Sequence, residues 1–357
     1  MSKLFSPLTI RGLTLENRVW VSPMCQYSAR EGIPDEWHLV HLGSLARGGA
    51  GLVFTEATAV VPQGRISLWD TGIWNTEQQH AWRRITDFVH GQGSRAGIQL
   101  GHAGRKASAR RPWEGGGPLS SEDGGWVPDA PSAIAYPGLR SPQQLDTTGI
   151  TRIVRAFETA SARAVEAGFD VIEVHAAHGY LLNEFLSPLS NHRDDQYGGA
   201  FTNRARLPLE IVMAVRNRIP RDTPLFVRIS ATDWVEGGWT LQDSVALAGL
   251  LADVGVDLID VSTGGIAPAN IPVAAGYQVP FARDIRAETG IATAAVGLIT
   301  EASMADEIVT SGSADAVFLG RALLRNPHWP FLAAQELGVP PSEGNHWPPQ
   351  YLRARQP

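Results

Sequence analysis

Eight short apolar runs recur along this chain, each followed by a stretch of helical periodicity. That alternation constrains the fold more than any other feature. The runs lie at 19–23, 51–55, 96–100, 170–174, 225–229, 258–262, 292–296 and 316–319. Each is continuous and rich in aliphatic residues, the pattern of strands buried on both faces. Helical patterns follow near 38–47, 77–90, 148–167, 203–218, 241–254, 282–289 and 303–310, with Thr240 and Asp243 spaced as a capping box. Strands separated by helices pair in parallel, and eight such units close into a (β/α)8 TIM barrel of the α/β class. No Gly-x-Gly-x-x-Gly follows any of the runs, so an open nucleotide-binding sheet lacks its signature. A chain of 357 residues fits one such barrel, and 1–357 is read as a single domain.

Two segments depart from the bare barrel. Residues 101–147, after strand three, are too long for an ordinary connection and rich in Gly, Pro and Trp. With Trp113, Trp126 and Tyr136 to pack, they read as a lid or capping excursion over the barrel mouth. The tail 345–357 carries Trp347, Tyr351 and Arg353 beyond the last helix, which suggests docking, for instance onto a neighbouring subunit.

Net charge is −6 and no Lys/Arg run occurs, which argues against nucleic acid or an anionic membrane surface as a partner. The opening MSKLFSPLTIRG has no apolar signal core, and no run of eighteen uncharged apolar residues occurs. Cys25 is the one cysteine, so no intrachain disulfide can form. A cytoplasmic location is expected.

Chemistry concentrates in 170–199, FDVIEVHAAHGYLLNEFLSPLSNHRDDQYGG. His175 reads as the last residue of strand four, with His178 and Tyr180 on the turn beyond it, so three polar groups gather past a strand's carboxyl end, where barrel ligands bind. A His-x-x-His pair could also ligate zinc, although no third ligand is spaced for it. At strands seven and eight, Gly297, Gly320 and Arg321 suit a phosphate. Ser22, Pro23, Met24, Cys25 and Tyr27 follow strand one, Ala57 lies past strand two, Gln99 ends strand three, and Arg228 closes strand five. A buried guanidinium at that last position demands an anionic or electron-rich partner.

The segments SPMCQYS, TEATAV, QLGHAGRKA, VHAAHGYLLNEFLSPLSNHRDDQYGG, FVRIS and LGRALLRNP, in this order, resemble the old yellow enzyme family of FMN-dependent ene-reductases. The Cys after Pro-Met and the QYLRA tail are most similar to its thermophilic-like class. The resemblance runs from about residue 3 to about residue 353. It implies FMN across the barrel mouth, with NADPH or NADH as co-substrate and small activated alkenes as acceptors. The phosphate falls to Gly320, Arg321 and Gly297. The ring falls to Ser22, Pro23, Met24, Cys25, Ala57, Gln99 and Arg228. His175 and His178 bind the carbonyl or nitro oxygen, and Tyr180 protonates the α-carbon after hydride reaches the β-carbon, in a ping-pong cycle. Cys25 and Tyr27 touch substrate, and Arg353 reaches an adjacent subunit's site in a homodimer or homotetramer. No metal is implied. Leu298 and Ile299 stand where some relatives carry a tryptophan. Two other readings remain: a metal-dependent barrel hydrolase built on His175 and His178, and a non-catalytic flavin-binding sensor with Cys25 as its responsive group.

Overall fold

The computed structural model describes residues 2–340 and 347–354. Eight parallel strands close into a barrel in sequence order: β1 (Val19–Val21), β2 (Leu52–Ala59), β3 (Arg95–Gly101), β4 (Val171–Ala176), β5 (Leu225–Ser230), β6 (Leu258–Ser262), β7 (Ala292–Ala295) and β8 (Ala316–Leu319). A helix follows each: α1 (Glu36–Arg47), α2 (Thr76–Gly91), α3 (Thr147–Glu166), α4 (Arg206–Arg218), α5 (Leu241–Asp253), α6 (Val279–Thr289), α7 (Ala302–Thr310) and the short α8 (Arg321–Arg325).

All eight expected strands form. Three boundaries differ, each for a local reason. The second strand runs on to Ala59 through a bulge between Phe54 and Ala57, so Glu56 and Thr58 belong to the strand. The fourth ends at Ala176, making His175 its penultimate residue. The helix expected over 203–218 breaks at Ala205, because Pro208 has no N–H for the carbonyl of Arg204.

Strand alternation sorts the side chains into an inner and an outer set. Outward residues such as Ile172, Val174, Val227 and Ile259 pack beneath the helices. Inward, Trp20, Phe54, Phe226 and Phe318 fill the lower barrel, their rings 5.4–6.3 Å apart by centroid. Each buried ring is worth about 1.5–3 kcal/mol. A hairpin, Leu8–Ile10 with Leu13–Leu15, closes the barrel's foot by adding Ile10 and Leu15 to that plug. This dense lower half leaves the carboxyl end of the strands as the open, polar end.

Segment 101–147 folds against that end. Trp126 Nε1 donates to the carbonyl of Gln63 at 3.0 Å. Arg193 Nη1 donates to the carbonyls of Pro131 and Leu145 at 2.9 and 2.6 Å, and the N–H of His192 donates to Ser132 Oγ. The NHR stretch of the central motif is therefore a clamp on this segment. Of the tail read as 345–357, residues 345, 346 and 355–357 lie outside the described residues. Trp347 stacks on Phe331 at 4.9 Å, and Tyr351 sits under Arg47.

Candidate active site

The inward positions above the aromatic plug are polar. Gln99, Glu173, Arg228 and Asp260 come from β3 to β6 at adjacent register positions and are buried. Gln99 Nε2 donates to Glu173 Oε1 at 2.8 Å. Arg228 Nε lies 3.1 Å from Asp260 Oδ2, an ion pair by distance whose angle falls short of a hydrogen bond. Asp260 is thus the anionic partner expected for Arg228. Arg228 Nη1 donates to Ser22 Oγ at 3.2 Å, tying β5 to the end of β1. No protein acceptor is found for Nη2 among the described residues. Burial raises Asp260 to about 6 against the pull of Arg228, and burial together with Asp260 raises Glu173 well above the carboxylate range.

His175 and Tyr180 stand over this floor. The His175 ring lies 5.2 Å from His178 and 5.0 Å from Tyr180, both edge-on, so the three predicted groups form one cluster. His175 Nδ1 accepts the N–H of Ala177 at 3.2 Å, which leaves its proton on Nε2. Burial, then the charge of Arg228, pushes both histidines well below 6.5, so both are neutral donors. His178 takes a left-handed φ of 61° and its Nε2 lies 2.7 Å from Ser262 Oγ. Burial, then Cys25 and Tyr27, raises Tyr180 well above 10, so its hydroxyl keeps its proton.

The turn bearing His178 is fixed from outside. A Cβ on Gly179 would sit 2.2 Å from the carbonyl oxygen of Gly265, and Gly179 has φ +71°. Lys106 Nζ donates to the carbonyls of His178 and Gly265 and lies 4.4 Å from the Tyr136 ring. Burial lowers this lysine to about 8.

Cys25 and Tyr27 line the neighbouring rim. Burial, then Asp70 and Glu56, raises the thiol well above its usual value, so it is not an exposed thiolate. Glu56 Oε2 accepts the N–H of Gln26 at 3.1 Å, and Trp113 of the excursion packs edge-on against Tyr27 at 5.7 Å. At β7 and β8, Gly297, Gly320, Arg321 and Arg325 line a cavity of about 140 Å³. Neither arginine has an ion-pair partner among the described residues.

Arg353 does not join this cluster. The tail lies beside Asn17, Gly51 and Ser94, where strands begin, so Arg353 is exposed near the barrel's foot. Sequence reasoning missed Glu173, Asp260, Ser262, Gln278 and Lys106. The two carboxylates were visible as acids inside apolar strands, whereas Ser262 and Lys106 carry no comparable mark. Among the described residues no third ligand joins His175 and His178 in a cluster able to hold a metal.

Residues 3–339 match the family described as NADH:flavin oxidoreductase / NADH oxidase. The chain is 51% identical to an NADPH dehydrogenase of Geobacillus sp. (strain WCH70), over 94% of this chain and 95% of that one. It is 47% identical to an NADPH dehydrogenase of Listeria monocytogenes serotype 4a (strain HCC23), over 99% of both. Among solved structures, morphinone reductase in complex with tetrahydroNAD superposes with a TM-score of 0.78 at 29% identity, covering 97% of each chain. The old yellow enzyme homologue from Zymomonas mobilis gives 0.76 at 27%, covering 97% of this chain and 99% of that one. These likenesses set aside both the hydrolase and the non-catalytic sensor. The chain belongs to the old yellow enzyme, or NADH:flavin oxidoreductase, family, and is an enzyme of it.

Proposed function

We propose that this chain is an FMN- and NADPH-dependent ene-reductase of the thermophilic-like class, acting on small activated alkenes in the cytoplasm. The observation that carries the reading is the cluster of two neutral imidazoles and one protonated phenol above a buried, positively charged floor. Relatives named NADPH dehydrogenase support NADPH as the reductant.

The residues present fit FMN. Gly297 adopts φ +126°, and a Cβ on Gly320 would project beside Met24 Sδ at 3.5 Å, so side chains there would narrow the cradle. With Arg321 and Arg325 beside it, the cavity suits a phosphate. Ser22, Pro23, Met24, Cys25, Ala57 and Gln99 would border the ring, and Arg228, through its uncommitted Nη2, would hold the ring's electron-rich edge. When bound, the flavin supplies hydride transfer from nicotinamide to the alkene's β-carbon.

The protein's own part is electrostatic and protonic. His175 Nε2–H and His178 donate to the carbonyl or nitro oxygen as negative charge grows there. One such donor is worth about 3 kcal/mol. Both imidazoles are neutral, so they stabilise the charge without neutralising it by proton transfer. Tyr180 holds its proton at neutral pH and delivers it to the α-carbon, a contribution of about 10²–10⁴ in rate. Cys25 and Tyr27 shape the substrate's side of the pocket, and Arg353 would complete a neighbouring subunit's site in a homodimer or homotetramer.

Purified protein should show flavin absorption and oxidise NADPH with cyclohexenone. Tyr180→Phe should leave reduction by NADPH intact and slow the alkene half-reaction by at least tenfold. A colourless protein that cannot be loaded with FMN, or equal slowing of both halves, would overturn the reading.

A further inference from the structure

Once Tyr180 has given its proton to a substrate, it must regain one before the next cycle. The phenol is set back from solvent, so the route is a structural question. Behind it lies a small enclosed cavity walled by Ala57, Ile66, Asp70, His102, His175 and Tyr180, of about 10 Å³, room for a single water.

Three other titratable groups face this cavity, and two are unsuited to hold a spare proton. His175 Nδ1 is occupied by the Ala177 N–H, and burial keeps its ring neutral. His102 Nδ1 accepts the N–H of Gly104 at 3.1 Å, and its Nε2 turns toward Asp129, 4.0 Å away. Burial lowers His102 to about 4. The third is Asp70, 1% exposed. Its Oδ1 accepts from Ser67 Oγ at 2.6 Å and its Oδ2 from the N–H of Ile66 at 2.7 Å.

We propose that Asp70 is the proton reservoir of Tyr180, joined to it through one water in this cavity. The inference rests on Tyr180 being the proton donor to the alkene. The protonated Asp70 carboxyl releases H⁺ to the water, and the water releases H⁺ to the Tyr180 phenolate. Tyr180 is restored, Asp70 is left as carboxylate, and it takes H⁺ back from solvent. No electrons move.

The surroundings suit this exchange. Asp70 faces Glu56 from β2, Cys25 and Tyr27 from the loop after β1, Arg65 from its own loop, and Tyr180 from the loop after β4. Burial, then the charge of Glu56, raises Asp70 to about 7, while Ser67 and the backbone of Ile66 pull it down. The carboxyl therefore changes state near neutrality. It is charged with a proton below about 7 and empty above, so rapid return of the proton is lost as pH rises.

The test uses the FMN-loaded enzyme. In Asp70→Asn, single-turnover alkene reduction by the pre-reduced enzyme should stay within about twofold, because Tyr180 enters that turnover protonated. Continuous turnover with saturating NADPH should fall about tenfold or more at pH 6, the low end of what a positioned acid contributes. It should also lose the decline near pH 7 that the parent enzyme shows. In the infrared, the parent should show a carboxylic-acid C=O band that titrates near 7 and is missing from the variant. Ser67→Ala provides a milder variant. Removing a donor to the carboxylate should move the decline to higher pH. An unchanged pH profile in both variants, or parallel loss of single and continuous turnover, would overturn the proposal. If Tyr180→Phe fails to slow the alkene half-reaction, it is the underlying ene-reductase reading that has failed.

Discussion

Gly179→Ala probes how tightly the catalytic turn is held. Gly179 has φ +71°, and placing an L-residue in the left-handed region costs about 1–2 kcal/mol. Gly199, in the same motif, has φ +75°, but a Cβ there would meet nothing within 4 Å. Gly199→Ala therefore isolates the backbone cost. For 357 residues that cost lowers Tm by about 1–3 °C. At Gly179 a second cost appears, because the new Cβ would meet the Gly265 carbonyl at 2.2 Å. That oxygen is backbone and cannot rotate aside, and it also accepts from Lys106. The His178–Tyr180 turn must therefore move away from β6. Displacement of about 1 Å at reacting groups can cost about 10²-fold. We expect Gly179→Ala to slow enone reduction in stopped flow by about that factor, with flavin still bound. Gly199→Ala should stay within about twofold of the parent. Equal rates for the two variants would refute the claim that close backbone approach positions this turn.

Two further outcomes follow from the contacts. Ser262→Ala removes the partner 2.7 Å from His178 Nε2, a loss of about 1 kcal/mol in orientation, so KM for the alkene should rise about fivefold. An unchanged KM would mean that His178 is oriented without Ser262. Arg193→Ala removes two buried, charge-assisted bonds to Pro131 and Leu145, each worth about 1.5–3 kcal/mol, and should loosen the excursion. Limited proteolysis should then cut within 101–147 faster than in the parent, and identical cleavage patterns would deny Arg193 that role.

The barrel and the identity of its reactive groups are legible in the sequence. Doubly buried strands need uninterrupted apolar runs, and a parallel pair needs a helix-length return, so both leave local marks at all eight positions. The imidazoles of His175 and His178 and the phenol of Tyr180 stand out because they crowd six residues at one strand end. What those groups touch is settled only on folding. Arg228 finds Asp260 on the next strand, and Glu173 finds Gln99, because parallel register aligns residues far apart in the chain. The same holds for Gly179 against Gly265, and for Asp70, brought behind Tyr180 from a loop after β2. The NHR stretch shares a motif with the reactive groups and yet anchors the excursion, since a buried arginine must satisfy its donors wherever carbonyls converge. Local periodicity reports which face of an element is buried, whereas partner and proton state depend on distances that only closure of the barrel sets.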